Sequence, residues 1–130
     1  MPKRLLVVEP DPATREMFVV VLEREGFEVV TAEDGRDGIA RAISRRPDLI
    51  ITALNLPIIS GAEMIRRLRA ETTFKNRPVL AVTAYTDLAP DALKAGASYV
   101  IIKPIPLRIL LGHLAELLHE PEENALHAGR

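Results

Sequence analysis

Residues 49–54, L-I-I-T-A-L, are a nearly unbroken apolar run, preceded by Pro47 and Asp48 and followed by Asn55 and Pro57. A short apolar run rich in β-branched side chains and bounded by turn residues predicts a strand buried on both faces. Similar runs recur as L-L-V-V within 4–9, P-V-L-A-V-T at 78–83 and S-Y-V-I-I at 98–102. F-E-V-V at 27–30 alternates in part, which predicts a strand nearer an edge. Helical spacing fills the intervals, so strand and helix alternate about five times. That rhythm predicts a parallel sheet with helices on both faces, a three-layer α/β class. In such sheets ligands and chemistry gather where the central strands end. At the end of the 49–54 run the chain places the methyl of Ala53.

The helices are delimited by ordinary signals. Asp11 with Pro12 reads as an N-cap and first turn, and Gly26 as the residue that closes that helix. Asp34, Gly35 and Asp37 form the next turn and cap, with Ile39, Ala40, Ala42 and Ile43 as an apolar stripe. Ser60 and Glu63 have the spacing of a capping box ahead of Met64, Ile65 and Leu68. Leu88, Ala92 and Leu93 mark a short fourth helix, and Leu107, Leu110, Leu111, Leu114, Leu117 and Leu118 a broad apolar face on the last.

Composition removes several function classes. At 130 residues the chain has the length of one domain, expected over 1–119, with a polar, flexible tail over 120–130. Its 17 Lys and Arg against 18 Asp and Glu leave a formal charge of −1, which gives no reason to expect direct binding of nucleic acid or a membrane surface. The absence of cysteine excludes disulfides, thiolate metal sites and Cys nucleophiles. No apolar run approaches the ~20 residues of a membrane span, and no signal-peptide pattern opens the chain. A cytoplasmic location is the expectation.

Four segments together carry a family likeness: V-V-E-P-D-P-A-T-R-E, P-D-L-I-I-T-A-L-N-L-P-I-I-S-G, A-V-T-A-Y and A-G-A-S-Y-V-I-I-K-P. In this order, and with these elements between them, the chain resembles the receiver domain of two-component response regulators, over roughly 3–118. The resemblance implies the chemotaxis-regulator type of doubly wound, flavodoxin-like fold, a five-stranded parallel sheet of order 2-1-3-4-5. It implies a phosphorelay signalling module rather than an enzyme, with a histidine kinase or an output protein as partner.

Receivers accept a phosphoryl group on an aspartate ending the third strand, beside Mg²⁺ held by two acids after the first. A hydroxyl ends the fourth strand and a lysine follows the fifth. The carboxylate is the nucleophile, the metal offsets phosphoryl charge, and lysine and hydroxyl stabilise the product. Carried onto this chain, the acceptor position is Ala53, and the acidic pair falls on Glu9 and Pro10, with Asp11 one position further on. Asn55 keeps its backbone carbonyl, Thr83 matches the hydroxyl and Lys103 the lysine. The switch position three residues before the lysine, commonly aromatic, is Val100, paired in function with Thr83; Tyr99 beside it points to the opposite face.

Three altered positions imply a degenerate receiver, or pseudo-receiver, that works without phosphate and through protein contacts. The alternative is an unorthodox acceptor such as Asp11 with weak Mg²⁺ binding. Glu9 and Asn55 alone are a poor Mg²⁺ set, so no metal or other cofactor is expected. Lys103, deprived of an aspartate, is expected to pair with Glu9. Asp48 lies at the wrong end of its strand, and Thr52 faces away from the pocket and packs. Arg66, Arg67, Arg69, Lys75 and Arg77 read as a solvated face rather than a nucleic-acid patch. His113, His119 and His127 lack metal-ligand spacing. Tyr99, Ile105 and Leu111 are the candidate partner surface, including a homodimer through the last helix. A flavin phosphate is not expected, because E-P-D-P-A-T has no glycine to cradle it.

Overall fold

The computed structural model describes residues 2–118; the expected tail at 120–130, His119 and His127 lie outside the described residues. Five strands, β1 (Arg4–Val8), β2 (Glu28–Ala32), β3 (Leu49–Ala53), β4 (Val79–Thr83) and β5 (Tyr99–Ile102), alternate with five helices. These are α1 (Pro12–Arg24), α2 (Gly35–Arg45), α3 (Gly61–Arg69), α4 (Ala89–Ala95) and α5 (Leu107–Leu117). Every strand pair is parallel and the order is β2-β1-β3-β4-β5.

The period of two along each strand divides the core. Leu5, Val7, Leu49, Ile51, Leu80 and Val82 pack on Phe18 and Leu22 of α1 and Leu110 and Leu114 of α5. Leu6, Val8, Ile50, Val79 and Ala81 meet α2, α3 and α4 through Ala42, Met64, Ile65, Leu68 and Ala92. Each buried Leu or Ile contributes about 1.5–3 kcal/mol. A one-residue slip in any central strand would exchange the residues of the two faces, so the register is strongly set.

Asp11, Asp34 and Ser60 accept hydrogen bonds from the third residue beyond them, as N-caps do. Glu63 does not complete a capping box, because its carboxylate binds Arg66 and Arg67 at 2.6 and 3.0 Å. Two glycines allow the close contacts on which the upper end of the sheet depends. A Cβ on Gly35 would lie 2.0 Å from the Ile59 carbonyl oxygen, and one on Gly61 2.5 Å from the Ala53 carbonyl oxygen. Those positions seat the starts of α2 and α3 directly against the loop leaving β3.

Several expectations need correction. β2 begins at Glu28 and runs on to Ala32, since it pairs with β1 along its whole length. The stripe of α2 is Gly35, Gly38, Ile39 and Ala42, leaving Ile43 exposed; Leu93 of α4 is also exposed. Arg69 does not face solvent with Arg66 and Arg67. Its guanidinium donates to the carbonyls of Gly96 at 2.8 and 3.0 Å, of Phe74 at 2.6 Å, and of Arg77. Arg77 donates to the Arg46 and Pro47 carbonyls at 3.0 and 2.6 Å. Both arginines therefore satisfy loop carbonyls rather than forming an open basic patch.

Candidate functional site

The carboxyl ends of β1, β3, β4 and β5 converge on a hollow of about 220 Å³. Glu9, Pro10, Ala53, Asn55, Thr83 and Lys103 line it, bringing together six of the residues singled out from the sequence. Ala84 and Tyr85 also line it. Both belong to the A-V-T-A-Y segment, in which they directly follow Thr83.

Glu9 is buried, with its residue 6% exposed. Its Oε2 accepts the Asp11 backbone N–H at 2.9 Å, and Oε1 lies 3.9 Å from Lys103 Nζ. The Glu9–Lys103 pair exists, then, but at the long end of ion-pair range, with the lysine partly solvated. Pro10 offers no acid. Asp11 is exposed, is not among the residues lining the hollow, and is occupied as the cap of α1. The Thr14 hydroxyl at 2.6 Å and backbone N–H at 2.9 Å donate to its Oδ2 and hold its carboxyl below the usual carboxylate range.

Sequence reasoning missed Arg15. Its guanidinium donates to the Glu9 carbonyl at 2.8 Å and the Pro10 carbonyl at 3.4 Å, and stands 3.8 Å from Glu33. An arginine on a helix gives no sequence sign that it will turn back to brace the loop before it.

Ala53 ends β3 half-buried opposite Val82 of β4. Thr52 beside it is fully buried, and its hydroxyl donates to the Ala53 carbonyl at 2.7 Å. Thr83 is also buried; its hydroxyl oxygen accepts the Tyr85 N–H at 3.0 Å, which leaves the hydroxyl proton free to donate. The Lys103 N–H bonds the Thr83 carbonyl at 2.8 Å, and the Lys103-Pro104 peptide is cis. Asp48 sits at the far end of β3, where its carboxylate accepts the Arg4 N–H at 2.8 Å.

Val100 is half-buried against the core under α4. Tyr99 lies on the other face, its ring centroid 4.3 Å from that of His113 on α5. Tyr99 is exposed, Ile105 lines a groove between α1 and α5, and Leu111 packs half-buried on the core. Among the described residues no group of three or more His, Cys, Asp or Glu gathers as metal ligands, and no helix is long and apolar enough to cross a membrane.

Comparison with known proteins points one way. The family model for the response regulator receiver domain matches residues 5–115. The DNA-binding response regulator MtrA of Mycolicibacterium smegmatis is 33% identical over 125 residues, 95% of this chain and 54% of MtrA. The phosphate regulon transcriptional regulatory protein PhoB of Pseudomonas aeruginosa is 35% identical over 89% of this chain and 52% of PhoB. This chain thus spans about half the length of these curated relatives. The chemotaxis response regulator CheY4 of Vibrio cholerae superposes with a TM-score of 0.84 at 31% identity, covering 91% of this chain and all of CheY4. The chemistry-bearing strand ends, the sheet order and these likenesses agree: the chain belongs to the response regulator receiver domain family.

Proposed function

We propose that this chain is a pseudo-receiver, a signalling module that acts through protein–protein contacts without forming an aspartyl phosphate. The observation that carries the reading is Ala53 at the end of β3, facing a hollow that keeps Thr83 and Lys103. An alanine has no nucleophile to attack phosphorus. The residues present also fit Mg²⁺ poorly. That ion takes near-octahedral oxygen ligation from carboxylates, phosphate and water, whereas Glu9 is the single acid lining the hollow, and Asp11 N–H and Lys103 already engage it.

Its partner class follows from the family: a histidine kinase or an output protein, met by surface complementarity. Direct nucleic-acid binding is not part of this reading, since Arg66 and Arg67 pair with Glu63 and Arg69 and Arg77 hold loop carbonyls.

The test is incubation with acetyl phosphate, and separately with beryllofluoride, each with Mg²⁺, followed by intact mass and amide NMR. The expected result is no mass gain and unmoved Thr83 and Lys103 amides. A stable, Mg²⁺-dependent adduct overturns the proposal, and mapping it to Asp11 would establish the unorthodox acceptor.

A further inference from the structure

A groove of about 340 Å³ runs between α1 and the start of α5. Thr14, Met17, Phe18 and Val21 recur at i, i+3, i+4 and i+7, and so present one side of α1 to it. Leu107 and Leu110 form the facing wall, and the buried Val82 of β4 completes the lining between them. Met17 is 53% and Leu107 47% exposed, so apolar surface on both walls is open to water. The volume lies at the lower end of the ~300–1,000 Å³ of small-molecule pockets, which are mostly apolar with a few placed polar groups. At roughly 30 Å³ per water-sized group it holds about ten non-hydrogen atoms.

Among the described residues, Thr14 and Lys103 are the polar side chains that line the groove. The Thr14 hydroxyl already donates to Asp11 Oδ2 at 2.6 Å. The Lys103 ammonium carries three N–H donors. Among the described residues it makes no hydrogen bond, only the 3.9 Å ion pair with Glu9. A free donor at the edge of an apolar groove calls for an acceptor on the occupant. Charge decides which kind. Glu9 and Asp11 are the acids that feel Lys103, and the other base there is Arg15, whose guanidinium holds the Glu9 and Pro10 carbonyls. Two acids and two bases cancel. A carboxylate in the groove would set a third acid beside one ammonium and exchange its water for apolar walls, and both are unfavourable. A neutral oxygen meets the donor without either cost.

We propose that this groove binds a small, uncharged, apolar molecule of about ten non-hydrogen atoms, whose single acceptor oxygen, such as a ketone carbonyl, takes a hydrogen bond from Lys103. Val82 and Lys103 line both this groove and the Ala53 hollow, and the Lys103 N–H bonds the Thr83 carbonyl at 2.8 Å. Occupancy of the groove is therefore transmitted to the hollow. The site is independent of whether the Ala53 hollow ever takes phosphate. So few ligand atoms give a dissociation constant on the order of 0.1–1 mM.

An amide NMR titration of the full chain with 2-octanone, a ketone of matching size, tests it. The expected result is saturable shifts of the Val21, Val82, Thr83 and Lys103 amides, half-complete below about 1 mM. Octanoate, with the same chain length and a carboxylate, should bind the wild-type chain at least about fivefold more weakly. Lys103→Met keeps the aliphatic stem, removes the donors and should weaken 2-octanone binding about fivefold. Unchanged thermal unfolding of that variant excludes misfolding as the cause, and the comparison of the two ligands needs no variant. The absence of saturable shifts up to about 5 mM 2-octanone overturns the proposal, as do shifts centred on the exposed Tyr85 and Tyr99 instead. Octanoate binding as tightly as the ketone overturns the uncharged occupant, and unchanged affinity in Lys103→Met overturns the hydrogen bond that selects it.

Discussion

Lys103 Nζ stands 3.9 Å from Glu9 Oε1, and both side chains line the hollow that Ala53 also lines. They are not equal partners. Glu9 is nearly buried and its shorter bond runs to the Asp11 N–H, whereas the lysine is partly solvated.

That inequality sets an order of effects. Glu9→Ala removes the acceptor of the Asp11 N–H and should lower stability by about 1–2 kcal/mol. Lys103→Met removes a long, half-solvated pair and should lower it by less than about 1 kcal/mol. Urea denaturation of both variants measures the difference. A larger loss from Lys103→Met would show that the ammonium, not the backbone bond, braces the pocket.

On the pseudo-receiver reading proposed above, an aspartate placed at position 53 should not by itself create a phospho-switch. Ala53→Asp supplies the nucleophile, but Pro10 still withholds the second acid. Acetyl phosphate with Mg²⁺ should label Ala53→Asp slowly and the Ala53→Asp, Pro10→Asp pair much faster, as read by intact mass. The pair gathers three carboxylates, counting Glu9, and like charges disfavour the folded state. Its melting temperature should fall without Mg²⁺ and recover when the ion is added. Equal labelling of the two variants would show that Pro10 is no impediment.

Arg69 ties α3 to the strand-β4 approach and to the turn before β5. Burial lowers its pKa from the ordinary arginine value, yet it stays charged and donates to carbonyls of Phe74, Arg77 and Gly96. Arg69→Met keeps the aliphatic stem and leaves those carbonyls short of donors, a loss of about 2–3 kcal/mol. Arg66→Met, on the same helix but bonded among the described residues only to the partly exposed Glu63 and the exposed Asp91, should change stability by less than about 1 kcal/mol. Equal losses in chemical denaturation would contradict the clasp.

The contrast between these arginines shows where sequence reading reaches its end. The alternation of strands and helices and the caps are legible from local spacing, whereas the strand order and the meeting of Glu9, Thr83 and Lys103 are legible only through the family resemblance. Arg66 and Arg69 have the same local pattern and differ only in what folds back over them from residues 74–98. Arg15 is legible as helix surface, but not as the brace on Glu9 and Pro10. Ile43 and Leu93 fit apolar stripes by spacing, yet both are about half exposed. Tyr99 and Ile105 are close in sequence, yet one meets the His113 ring at a 55° tilt and the other lines the groove toward α1. Long-range partners decided each case.

Ile58 has φ of +72° and is 64% exposed in the loop between β3 and α3. A β-branched residue in the left-handed region is strained, where asparagine or glycine is tolerated. Exposure means that little packing offsets the strain. Ile58→Asn should therefore raise stability by about 1 kcal/mol, a gain of a few degrees in Tm for a domain of this size. Ile43→Asn is the control: Ile43 is 51% exposed but lies within α2, with no left-handed backbone to relieve. It should show no gain. If both variants stabilise equally, the benefit comes from removing an exposed apolar side chain, and the backbone argument for Ile58 fails.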